Sequence, residues 1–288
     1  MRLKLIAGAV LAAAMTGAAS ATIVGAPVDG GLGLQDAVTP VMENIVSFHN
    51  LLLWIISAIC LLVLGLILWI VVRYRAKANP VPRKFSHNTL IEIIWTAVPV
   101  LILIVIAVPS FRLLYFQDVI PEADFTIKVT GNQWNWTYEY PDHGGFEFVS
   151  NMLDDSEITS ENWEQARLLS TDVPIVVPSG ATVRVQVTAS DVIHSWAVPA
   201  FGVKMDGIPG RLNETWFYVP EGREGIYFGQ CSEICGIRHA FMPIEVHVVP
   251  GAVFTAWTEA ANADPYTASN VLASYYASQR ATRVAAAN

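Results

Sequence analysis

The chain has 288 residues, 53% of them hydrophobic and only 15% charged, with a formal net charge of −8 and a mean hydropathy of +0.43. Soluble domains carry about a quarter charged residues, so this composition excludes an ordinary soluble protein and puts membrane segments first. The acidic balance disfavours a nucleic-acid partner.

The N-terminus, "MRLKLIAGAVLAAAMTGAASA", has two early cations, a short apolar stretch and then Ala19-Ser20-Ala21. This pattern predicts a secretory signal over residues 1–21, cleaved after Ala21, with 22–44 as an exported N-terminal segment. Within 45–115 the apolar runs Ile45 to Val72 and Leu90 to Leu114 are each long enough to cross a bilayer core of ~30 Å at about 1.5 Å per residue. Trp54, Trp69 and Trp95 lie towards their ends, as interfacial anchors do. The linker holds Arg73, Arg75, Lys77, Arg83 and Lys84 and no acid before Glu92, which makes it cytoplasmic and leaves both chain termini outside. Glu92, in "SHNTLIEIIWTAVP", is an acid at the start of a span and therefore a functional candidate.

From residue 116 onward there are 21 Asp/Glu against 9 Lys/Arg, a net charge of −12 that suits a basic protein partner. Residues 116–250 read as short strands between Gly and Pro turns: "FTIKVTGNQWNWTYEY", "VPIVVPSGATVRVQVTASD", "HSWAVPAFGVKMDGIPGRLNETWFYVP", "EGIYFGQC" and "MPIEVHVV". That rhythm predicts an antiparallel sandwich or barrel. Glu157 to Leu168 reads as an irregular or helical insertion. The Ala- and Ser-rich tail, 251–288, reads as helical with a disordered extreme end.

"GQCSEICGIRHAFMP" places Cys231, Cys235, His239 and Met242 within twelve positions, and His194 lies upstream in an exposed-looking strand end, "SDVIHSWAVP". In an oxidising compartment two cysteines usually mean a disulfide, but a disulfide needs neither histidine nor methionine. Zinc would take two thiolates and two imidazoles and leave the soft thioether unused. A mononuclear blue-copper site would leave one cysteine surplus. Two thiolates four positions apart that bridge two copper ions use the whole inventory, with His194 and His239 terminal and Met242 and a backbone carbonyl axial. His49, His87, His143 and His247 lack soft neighbours and read as bland.

The segments "HSWAVPAFGVKMDGIPGRLNETWF" and "GQCSEICGIRHAFMP", with the two-span hairpin before them, resemble subunit II of haem-copper cytochrome c oxidase in its alphaproteobacterial form. The resemblance implies an N-terminal transmembrane α-helical hairpin followed by an all-β cupredoxin-like Greek-key barrel. It implies a dinuclear copper centre, CuA, that takes electrons from cytochrome c and passes them to haem in subunit I, where oxygen is reduced with proton pumping. Subunit III and an inner-membrane location with both termini periplasmic are implied as well. Glu233 is implied to give its carbonyl to copper and its carboxylate to a magnesium or manganese shared with subunit I. Trp134, in "GNQWNWTYEY", is implied as the point where electrons enter, and Trp136 reads as core. Glu139, Asp172 and Asp191 match acidic docking positions, and Glu92 the mouth of a proton pathway. The sequence departs from the family pattern at Asn132, Asn135 and Ser190, where His, Tyr and an acid are usual.

A quinol oxidase subunit would lack the copper ligands, and a nitrous-oxide reductase would be far longer and lack the hairpin. A copper carrier would leave His194, His239, Trp134 and Glu92 unexplained. No C-x-x-C-H occurs, so no c-type haem is fused to the chain.

Overall fold

The computed structural model describes residues 25–81, 84–159 and 163–287. The expected signal segment lies outside these residues. Helix α1, Pro40–Arg73, begins earlier than hydropathy alone indicated. Thr39 caps it by accepting the Met42 N–H at 3.1 Å, and Pro40 occupies the first turn, where a missing N–H costs nothing. The same Thr39 hydroxyl donates to Phe201 O at 2.6 Å, and Val41 and Met42 are buried. The extra turn therefore docks the hairpin on the β domain instead of crossing lipid. Helix α2, Thr89–Asp118, is capped by Asn88. Its far end meets the domain through Trp216 Nε1, which donates to Gln117 O at 3.1 Å, and through an edge contact between Phe116 and Trp216. The apolar spans of both helices are unburied, as lipid-facing helices are before a partner covers them.

Among the described residues, ten strands form two five-stranded sheets. One has the order β3 (Phe146–Ser150), β2 (Asn135–Tyr140), β1 (Phe125–Asn132), β5 (Thr182–Ala189), β8 (Asn213–Tyr218). The other has the order β4 (Ile175–Pro178), β10 (Pro243–Val249), β9 (Gly225–Cys231), β6 (His194–Val198), β7 (Val203–Gly207). The sheets are mixed, because β1 pairs with β5, and β4 with β10, in parallel. The Pro178-Ser179-Gly180 corner carries the chain from one sheet to the other. There Ser179 N–H donates to Val249 O and Gly180 N–H to Val219 O, both at 2.8 Å. Strands β1, β2 and β5 alternate buried and half-buried, so their sheet has one wet face.

Strand β10 is buried at every position. Ile244, Val246 and Val248 face the core, whereas Glu245 and His247, on the other face, are covered by Trp163 and Tyr276. The described part of the 157–168 insertion is turn and coil, not helix. The tail forms two helices, α3 (Gly251–Ala263) and α4 (Ser269–Ala287), that pack on the sandwich. Phe254, Trp257, Ala261, Ala268 and Leu272 are buried, and Trp257 meets Tyr140 at a tilt and Phe146 and Phe148 edge-on. Alanine here is helix-forming and fits close contact.

Candidate metal centre

Strand β9 ends at Cys231 and β10 begins at Pro243, so the sheet fixes both ends of the loop between them. Cys231 N–H donates to Met242 O at 3.3 Å, and Ser232 N–H donates to Ser195 O at 3.0 Å. These bonds draw the first cysteine, the methionine and the start of β6 together. His194 begins β6 and is fully buried, contrary to its exposed look in the sequence. Gly131 permits this: a Cβ there would stand 2.8 Å from the Cβ and Cγ of His194.

The six donor groups cluster in space. Cys231 Sγ and Cys235 Sγ are 3.8 Å apart, and both thiols are free. Cys231 Sγ lies 3.9 Å from His194 Nδ1 and 3.3 Å from the Glu233 carbonyl. Cys235 Sγ lies 3.5 Å from His239 Nδ1 and 3.6 Å from Met242 Sδ. His194, Cys231 and Cys235 alone bring their donor atoms within 4.8 Å of one another. Cys231, Cys235, Met242 and His194 are buried; His239 is half-buried, between the exposed Ile237 and Phe241.

Electrostatics follow from this packing. Burial pushes the Cys231 thiol up, but hydrogen bonds from His194 and neighbouring backbone outweigh it and bring the group down to about 6. Burial and the adjacent Cys231 thiolate push Cys235 up to about 12. Burial lowers His194, but its bonds to Cys231 and Asp191 prevail and raise it.

The surrounding residues are placed as follows. Trp134 is half-buried and donates its indole N–H to Cys235 O at 3.2 Å. Trp136 is buried and donates to Met242 O at 3.2 Å. Asp191 lies 2.9 Å from His194 Nε2. Glu139 is ion-paired with Lys128 at 2.8 Å, and Asp172 accepts from Asn151 and Val173. Glu233 is half-buried in the loop. Glu92 lies far along the chain from this cluster, in the first turn of α2. His247, read as bland, joins a buried network: its Nε2 is 2.8 Å from Glu245, which also accepts from Trp163 Nε1 and Thr171 N–H. Gln133, absent from the sequence reading, donates to both Asp191 and Cys235 O. An acid three positions before a candidate histidine ligand was the one available signal for Asp191, because metal-bound imidazoles commonly lean on a carboxylate.

Residues 125–249 match the family profile "Cytochrome C oxidase subunit II, periplasmic domain", and residues 27–113 match the corresponding "transmembrane domain". A probable cytochrome c oxidase subunit 2 of Rickettsia bellii is 52% identical over 82% of this chain and 86% of its own length. The chain belongs to the cytochrome c oxidase subunit II family. The subunit 2 of Cereibacter sphaeroides is 47% identical, with 88% of each chain covered. A solved periplasmic domain of subunit II from Bradyrhizobium japonicum is 54% identical, covers 50% of this chain and 96% of its own, and superposes with a TM-score of 0.45. The chain is a membrane protein with two spans and a cupredoxin-like β domain whose two sheets are mixed.

Proposed function

We propose that the cluster is a dinuclear copper centre that receives electrons from a basic cytochrome c outside the inner membrane and delivers them to subunit I of the oxidase. The observation that carries this is the pair of free thiols 3.8 Å apart, with one imidazole nitrogen beside each. Two thiolates at that spacing can be shared by two ions, and the thioether of Met242 completes a soft donor set that suits copper better than zinc. Cys231, Cys235, His194 and His239 would hold the ions, with Met242 and the Glu233 carbonyl as weaker donors. Copper held there supplies one-electron redox chemistry.

The chain's own residues do the rest. Burial of four side-chain donors excludes water, and the sandwich fixes their positions, so little has to move when charge changes. The Trp134 indole, bonded to the Cys235 carbonyl and half-exposed, offers a short path from the surface. The Glu233 carboxylate, a hard oxygen donor, suits magnesium or manganese at the boundary with subunit I. Glu92, in the first turn of α2 on the cytoplasmic side, supplies a proton acceptor at the membrane surface. Subunit III joins the same assembly, and both termini lie in the periplasm.

Stopped-flow mixing of the assembled oxidase with reduced cytochrome c tests this reading. Trp134→Gln should slow electron uptake at saturating donor while the apparent binding constant holds. Unchanged uptake would remove Trp134 from the route.

A further inference from the structure

We propose that Gln133 is a positioning residue of the copper centre, an inference that rests on the function proposed above. Asn132 and Asn135 close a hairpin between β1 and β2, leaving Gln133 and Trp134 as its two-residue turn. Gln133 is exposed, yet it spends both polar handles inward. Its backbone N–H donates to Asp191 Oδ2 at 2.7 Å, and the other oxygen of that carboxylate is 2.9 Å from His194 Nε2. Its side-chain Nε2 donates to Cys235 O at 2.8 Å. One exposed residue thus braces the rear of a terminal ligand and the peptide of a bridging one.

The Cys235 peptide needs such a brace. The next residue, Gly236, has φ +121°, so the chain reverses there before it reaches His239 and Met242. Its ideal Cβ would also lie 3.0 Å from the Trp134 ring, so no side chain can wedge the turn in place. Gln133 and Trp134 supply two donors to this one carbonyl. The hairpin is itself held firm by a side-chain ladder. Ser190 Oγ donates to Asn132 Oδ1 at 2.7 Å, Asn132 Nδ2 to Asn135 Oδ1 at 3.0 Å, and Asn135 Nδ2 to Asn151 Oδ1 at 3.2 Å. Asn132, Asn135 and Ser190 are thus neutral groups that fix the turn. An amide kept for docking would point at solvent; this one does not.

The experiment compares the full chain, copper-loaded in detergent, as wild type, Gln133→Met and Gln133→Lys. Methionine keeps the length without a donor, and lysine restores one; both keep the backbone bond to Asp191. Copper loss to a competing chelator and the EPR hyperfine pattern are read, with thermal melting as a folding control. Gln133→Met should lose copper about tenfold faster than wild type with an altered hyperfine pattern, and Gln133→Lys should stay within about threefold, the scale seen for partners of metal ligands. Wild-type retention and spectrum in Gln133→Met, or equal loss in both variants, overturns the role. Failure of the wild type to hold two coppers contradicts the centre itself, whereas a loaded wild type with an unaltered Met variant contradicts only Gln133.

Discussion

Asp191 Oδ1 lies 2.9 Å from Nε2 of His194, which fixes the ring so that Nδ1 turns towards Cys231. A position matched to docking acids is thereby placed behind a candidate ligand. The carboxylate holds the Nε2–H tautomer, keeps the Nδ1 lone pair free and raises ligand basicity. Asp191→Ala should lower copper affinity about 10- to 100-fold by chelator competition. An unchanged affinity with a weaker cytochrome c interaction would leave Asp191 as a docking acid alone.

Copper uptake should strengthen as pH rises. Ligation needs two thiolates and two neutral imidazoles, and metal binding releases whatever protons these groups still hold. Burial and the Cys231 thiolate hold Cys235 protonated up to about 12, so its proton is displaced at every working pH. His194, raised by Cys231 and Asp191 against the effect of burial, gives up a further proton below its own transition, and Cys231, brought down to about 6, gives up another below that pH. The logarithm of the apparent affinity should therefore climb by about one per pH unit in alkali and more steeply as pH falls through these transitions. A flat profile between pH 6 and 8, read by competition titration, would contradict these assignments.

The loop of candidate donors was legible because four of them fall within twelve residues, and short-range spacing survives in a linear text. His194 was legible as a candidate donor but not as buried, because its burial depends on Gly131 in a distant strand. Gln133 reaches Asp191 and the Cys235 carbonyl only through contacts 58 and 102 residues apart in the chain. "MPIEVHVV" alternates like a half-wet strand, yet Glu245 and His247 are dry because Trp163 and Tyr276 close over them. Neither covering segment has a periodicity that announces the contact. The start of α1 was missed for a related reason, since Thr39 is fixed by Phe201 of the β domain and not by hydropathy.

The Glu245 network should be a stability element that pins the insertion and α4 to β10. Its carboxylate accepts from Trp163 at 3.0 Å and Thr171 at 2.6 Å, and it lies 2.8 Å from His247, whose Nδ1 is 3.1 Å from Tyr276 OH. Glu245→Ala would strand buried donors and should cost about 3–5 kcal/mol. Tyr276→Phe removes one bond and should cost about 1 kcal/mol. Urea unfolding of the detergent-solubilised chain measures both; equal costs would show that the carboxylate is not the hub.

Glu92 should matter for proton supply and not for copper. It sits in the first turn of α2, where a long side chain can reach the interface at modest cost. Glu92→Ala should slow steady-state turnover of the assembled oxidase with copper content unchanged, and Glu92→Asp should retain more activity. Full turnover in Glu92→Ala would reduce this acid to a membrane-surface charge.

Copper stoichiometry measured together with EPR on the purified wild-type chain tests the account most directly, with Cys231→Ser and Met242→Leu beside it. Two coppers per chain should give one mixed-valence signal shared over both ions. Cys231→Ser should abolish it, and Met242→Leu should keep it with a shifted potential, because a thioether tunes the site and the bridging thiolates define it. One metal per chain, a mononuclear copper signal, or a Cys231–Cys235 disulfide persisting after gentle reduction and copper addition would contradict the dinuclear centre.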